Sequence, residues 1–127
     1  MESNKHLFLP YEESLKLSEK GFDEECFGYY CYDTKKLMIG INMIKSSDIK
    51  KYKLGTFSPL IQQTIDWFEK NSYQYINYEL NINDGLYKYY GICNIIDNYQ
   101  FKEIYRTTAK STKNLALLDV ISFLLSK

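Results

Sequence analysis

Asn83-Asp84-Gly85 is the segment that most constrains what this chain can become. An Asp-Gly pair suits the two central positions of a tight hairpin turn, because such turns need positive φ there and their twist matches that of the flanking strands. The runs on either side fit that reading. Tyr73 to Ile82 alternates, first at Tyr73 and Tyr75 and then at Tyr78, Leu80 and Ile82, and Leu86 to Ile96 returns as the partner. Phe101 to Tyr105 adds a fifth, short strand.

The rest of the chain reads as a second strand pair between helices. Pro10 is a good first helical residue, Glu12 and Glu13 suit the dipole of the first turn, and Gly21 is placed to end the helix as its C′ residue. Tyr11, Leu15 and Leu17 supply that helix's apolar side. Cys26–Tyr32 and Leu37–Ile44 form a hairpin around the polar turn Asp33-Thr34-Lys35-Lys36. Residues 45–57 are polar and basic and read as a loop. Ser58-Pro59 opens a second helix as N-cap and first residue, with Leu60, Ile61, Ile65 and Phe68 at helical spacing, Trp67 beside them and Asn71 as its stop. Ser111 caps a last helix whose stripe of Leu115, Leu118 and Leu125 is broadened by Leu117, Val120, Ile121 and Leu124.

The order is α-β-β-α-β-β-(β)-α. Adjacent strand pairs imply a largely antiparallel sheet of four to five strands with three helices on one face, an α+β fold. At 127 residues, 45% of them hydrophobic, the chain is expected to form one α+β domain over residues 1–127. No run reaches the roughly 18 apolar residues of a membrane span, and the N-terminus lacks an apolar signal core. Three cysteines do not make a disulfide framework and suit a reducing compartment, so a cytoplasmic location is expected.

Sixteen basic and sixteen acidic residues cancel, yet they are segregated. Residues 1–26 carry seven acids and three lysines, residues 35–53 six lysines and one acid, and residues 102–127 five bases and two acids. Opposite potentials on separate faces suit docking onto a partner. Fifteen of the bases are lysine, whose codons, like those of Tyr, Ile and Asn, are A/T-rich, so genome composition accounts for much of the excess. Arg106 is the lone arginine, and without the arginine fork sequence-specific duplex readout is not expected.

The inventory for catalysis is thin. His6 is the single histidine and precedes the first helix, so a Cys-His pair with Cys26, Cys31 or Cys93 is not expected, and neither is a zinc site. Phosphate-cradling glycine motifs are absent. Asp23, Glu24 and Glu25 read as solvated charge in a loop rather than a carboxylate dyad. No catalytic residue, cofactor or metal is expected.

Binding has better candidates. Lys45, Lys50, Lys51, Tyr52 and Lys53 lie in the basic loop, with Lys35 and Lys36 in the nearby turn. Lysines interleaved with an aromatic can hold single-stranded nucleic acid by phosphate contact and base stacking. A tyrosine face of Tyr73 and Tyr75 with Tyr87 and Tyr89 is the other candidate, since tyrosine gives large contact area at low entropy cost.

Leu17-Ser-Glu-Lys-Gly21-Phe22-Asp23-Glu24-Glu25-Cys26, followed by Gly28-Tyr29-Tyr30, resembles a family of small proteins from bacteriophages, prophages and other bacterial mobile elements. That family usually reads Gly-Phe-Asp-Glu-Pro-Cys, and here Glu25 stands in place of Pro. Ser58-Pro59-Leu60-Ile61-Gln62-Gln63 leading to Trp67-Phe68 is similar to the family's second helix. The likeness covers about half the chain, mostly framework positions, and carries no reaction. By its setting it implies a small protein of the bacterial cytoplasm that acts by binding a host defence protein or ribonucleoprotein. Anti-CRISPR proteins, which often bind a nuclease or its guide RNA, are the example, and an RNA-targeting CRISPR effector is one candidate target. The alternatives are an immunity protein that meets a basic toxin with the acidic segment Glu19–Glu25, and a small enzyme using Asp23 or Glu79.

Overall fold

The structure, a computed structural model, describes residues 2–45, 48–49 and 55–127. The chain is α+β, with antiparallel pairing throughout. Among the described residues the strands divide into two three-stranded sheets instead of one sheet of four or five. The chain packs as two compact units, residues 1–64 and 65–127, each holding one sheet.

In the first unit a 3-10 helix, Glu2–Leu7, precedes helix α1, Tyr11–Glu19. Pro10 is the N-cap of α1 rather than its first helical residue, with extended backbone at ψ 164. The helix ends as its sequence predicts. Gly21 takes φ +100, its N–H donates to the Ser18 carbonyl at 3.1 Å, and the Phe22 N–H donates to the Leu17 carbonyl at 3.3 Å. These are the two bonds of a Schellman motif, and the Leu17 and Phe22 side chains that flank it are both buried.

Strands β1, Cys26–Cys31, and β2, Leu37–Ile44, form the expected hairpin. The loop expected over 45–57 is more structured than its composition suggested. The Lys45 carbonyl accepts from the Asp48 and Ile49 N–H groups at 3.0 and 3.1 Å, Ile49 is buried, and Gly55–Ser58 is a strand, β3. β3 pairs with β1, giving the order β2-β1-β3. Phe8, Leu9, Leu17, Phe22, Cys26, Ile49, Phe57 and Ile61 are buried among the described residues of this unit. The Phe22 and Phe57 rings meet at 4.8 Å.

Ser58 does not cap the second helix. It is buried, and its hydroxyl donates to the Leu9 carbonyl at 2.9 Å, so its oxygen is aimed at the core and not at a helix N-terminus. Helix α2 begins later and runs over Ile61–Ser72. It stops at Tyr73, which takes φ +53, two residues beyond the expected Asn71.

In the second unit β4, Gln74–Asn83, β5, Leu86–Asp97, and β6, Gln100–Arg106, form a meander. Asp84 and Gly85 have φ +52 and +76, the paired positive values of a type I′ turn, as Asn83-Asp84-Gly85 predicts. Asn98 and Tyr99 turn β5 into β6 in the same way, at φ +51 and +64.

Helix α3, Lys113–Leu125, packs on β5 and β4. Its N-cap is Thr112, not Ser111. The Thr112 side-chain oxygen accepts from the Leu115 N–H at 3.1 Å, the bond that a cap makes to the third helical residue. Ala116, Leu117, Val120, Ile121, Leu124 and Leu125 are buried, which explains the broad apolar stripe. At Gly91 α3 comes close to the sheet. A Cβ there would run into the Ala116 carbonyl and lie 2.6 Å from Val120 Cγ2. Among the described residues no helix is long and apolar enough to cross a membrane.

Candidate functional site

The first unit carries an open groove of about 1070 Å³, lined among the described residues by Tyr11, Tyr30, Cys31, Tyr32, Asp33, Lys35, Ile49, Gly55 and Thr56. It lies where the β1–β2 turn comes beside Ile49 and Gly55, the two described residues that bound positions 50–54. The turn is closed by two backbone bonds, Lys35 N–H to the Cys31 carbonyl and Cys31 N–H to the Lys36 carbonyl, both 2.9 Å. Lys35 takes φ +58, a left-handed conformation that glycine or asparagine occupies more cheaply.

Three tyrosines define the groove's character. The Tyr30 hydroxyl donates to the Leu9 carbonyl at 2.8 Å, which pins that ring. Tyr11 packs edge-on against it, with ring centroids 5.5 Å apart at 85°. The Lys35 ammonium lies 5.4 Å from the centre of the Tyr11 ring, within cation–π range. Tyr32 is 76% exposed and presents its ring to solvent.

Three groups in the first unit have displaced acidities. Burial pushes the Tyr30 hydroxyl above its ordinary range; Ser58 opposes that shift and Glu13 adds to it. Cys31 is drawn down by the Asp33 and Thr34 N–H groups and the Thr34 hydroxyl, which favour its thiolate. Cys26, in contrast, is pushed up to about 12 by burial and by the charge of Glu24.

Of the seven basic-surface residues expected, Lys35, Lys36 and Lys45 are exposed, and Lys35 lines the groove. Lys50, Lys51, Tyr52 and Lys53 lie outside the described residues. Tyr11, Tyr30 and Tyr32 are not among the binding residues expected from sequence. The signal for Tyr30 and Tyr32 was a pair of tyrosines two apart at the end of β1, next to a lysine-bearing turn.

The expected tyrosine face is split by the register. Leu80 pairs with Tyr89 and Ile82 with Tyr87, whereas Tyr75 pairs with Asn94. Directly opposed residues share a face and neighbours alternate, so Tyr87 and Tyr89 stand with Tyr78, Leu80 and Ile82, on the face opposite Tyr75. Tyr75 instead meets Phe101 edge-on, with centroids 5.2 Å apart. Tyr73 precedes β4 and is exposed.

The carboxylates considered for chemistry lie apart in kind. Glu79 is exposed and bridged to Arg106 at 2.8 Å, and Arg106 also holds Glu103 at 2.9 Å. Asp23 is exposed in the loop after α1, and the neighbouring Glu25 carbonyl accepts from the Gln63 amide at 2.6 Å. Among the described residues no three His, Cys, Asp or Glu side chains gather as metal ligands would. No family model, no curated protein and no solved structure matches this chain.

Proposed function

We propose that this chain is a non-catalytic binding protein of a bacteriophage or other mobile element. It acts in the bacterial cytoplasm, where it blocks a defence nuclease, and its partner is a ribonucleoprotein of the RNA-guided kind. The reading rests on one observation. Lys35 shares an open groove with Tyr11, Tyr30 and the exposed Tyr32, at the edge of the segment richest in lysine. A cation beside aromatic faces is the chemistry that holds single-stranded RNA, phosphate on lysine and base on ring. Lys36 and Lys45 extend the positive surface, and both are exposed. The likeness to mobile-element proteins supplies the biological setting.

The test is affinity capture from a bacterial lysate containing an RNA-guided nuclease, with and without ribonuclease, using the native chain and a Lys35→Glu/Lys36→Glu/Lys45→Glu variant. The native chain should capture the nuclease and the variant should not, while its circular dichroism stays native. Loss on ribonuclease treatment would assign the contact to the guide RNA. Equal capture by the variant would overturn the groove as the interface. Tyr32→Ala, which removes an exposed ring, should weaken capture on its own.

A further inference from the structure

We propose that the chain forms a two-fold dimer in which β4 pairs antiparallel with β4 of a second copy, centred on Leu80. The surface belongs to the second unit and is independent of the groove. β4 is the edge strand of its sheet. In a two-residue hairpin the residues flanking the turn, here Asn83 and Leu86, exchange backbone bonds, and the pattern then alternates. The other side of β5 agrees with that alternation, since the Tyr89 N–H donates to the Lys110 carbonyl at 3.0 Å and the Thr107 N–H to the Gly91 carbonyl at 2.9 Å. Asn77, Glu79 and Asn81 therefore bond to β5. The backbone groups of Tyr78, Leu80 and Ile82 face the open edge, where no described residue bonds to them.

Free edges are normally blunted by lysine, proline or a bulge. β4 has neither residue, and its register with β5 runs unbroken from Gln74 to Asn83. Its outward backbone groups ask for an extended strand. Its side chains say which one. Tyr78, Leu80 and Ile82 are 43%, 40% and 62% exposed. The one charge on β4, Glu79, is paired with Arg106, which it shares with Glu103.

A two-fold axis at Leu80 sets Tyr78 opposite Ile82 of the second copy and Leu80 opposite Leu80. It also sets Glu79 opposite Asn81 and Asn77 opposite Asn83. Apolar meets apolar, amide meets amide or carboxylate, and no carboxylate meets another. Centring the axis on Glu79 would oppose two carboxylates, which is unfavourable. The Tyr78, Leu80 and Ile82 pairs supply about six backbone hydrogen bonds. β4 is thus its own complement in polarity and charge, which selects a second copy over an unrelated strand.

The test is sedimentation equilibrium of the full chain from micromolar to near-millimolar concentration. The native chain should pass from monomer to dimer. Leu80→Lys should raise the dissociation constant about tenfold or more, a change worth 1.4 kcal/mol per decade. Leu80→Pro removes an outward N–H without touching a bond to β5, and should do the same with a native circular dichroism spectrum. Leu80→Cys in a Cys31→Ser background should form a covalent dimer on mild oxidation. A native chain that stays monomeric throughout overturns the proposal, and so does a dimer that persists unchanged in both Leu80→Lys and Leu80→Pro.

Discussion

The Tyr30 hydroxyl donates to the carbonyl of Leu9, 21 residues earlier, at 2.8 Å. The same carbonyl accepts from Ser58 at 2.9 Å and Ser14 at 3.2 Å, so α1, β1 and β3 are tied to one buried backbone oxygen. Tyr30→Phe and Ser58→Ala should each cost about 1 kcal/mol, the net worth of one hydrogen bond. Together they should cost more than the two separate losses, because only the longest donor remains. Urea unfolding of the two single variants and the double variant measures this.

The same tyrosine gives a pH dependence. Burial raises its folded pKa above the ordinary value of 10. Its stabilising contribution is full below the unfolded value and is lost as pH rises through the higher folded value. Tyr105 shifts in the same direction, first through its bond to Asp119. Stability of the native chain should therefore fall above pH 10, and fall less steeply in Tyr30→Phe. Unfolding midpoints taken across that range decide it.

Cys31 and Cys26 should differ in reactivity. Cys31 is partly exposed and its thiolate is favoured by local N–H donors, whereas Cys26 is buried and raised to about 12. Cys93 is also buried and raised. Iodoacetamide at mildly alkaline pH should label Cys31 first, with Cys26 and Cys93 protected until the chain unfolds. Peptide mass spectrometry over a time course reads the order.

Gly91→Ala should destabilise the second unit by about 3 kcal/mol. The new methyl would press on the Ala116 carbonyl and Val120, so helix and sheet must part. Ala at an exposed position such as Lys88 should change stability by less than about 0.5 kcal/mol. Thermal unfolding of the two variants makes the comparison.

Tyr99 offers the opposite sign. Its side chain is fully exposed while its backbone sits at φ +64, where a Cβ is strained. Tyr99→Gly should stabilise by about 1 kcal/mol, because an Asn-Gly pair suits a type I′ turn better. Differential scanning calorimetry should show the higher midpoint.

Local chemistry was the legible part of this chain. Gly21 announced its helix end and Asp84-Gly85 its turn, because each encodes a backbone conformation that few residues adopt. The division into two sheets was not legible, since alternation marks strands but not their partners. β3 is four residues long and adjoins a lysine-rich segment, so no periodicity could build up. Ser58 misled because a hydroxyl before proline can serve a helix cap or a buried carbonyl equally well. The tyrosine face was assigned by residue type alone. The parity imposed by a two-residue turn would already have placed Tyr75 and Tyr87 on opposite sides. For the groove, Lys35 was visible in sequence, but the approach of Tyr11 from another element was not.

The two tight turns of the second sheet also set a kinetic order. Each strand of the β4-β5-β6 meander meets its neighbour by closing a two-residue loop, which costs little chain entropy. The first sheet must bring Gly55 to Cys31 across the whole of β2 and the segment after it. Local pairing is fast and distant pairing slow. The C-terminal sheet should therefore gain protection from hydrogen exchange early in refolding, and β3 should dock on β1 last.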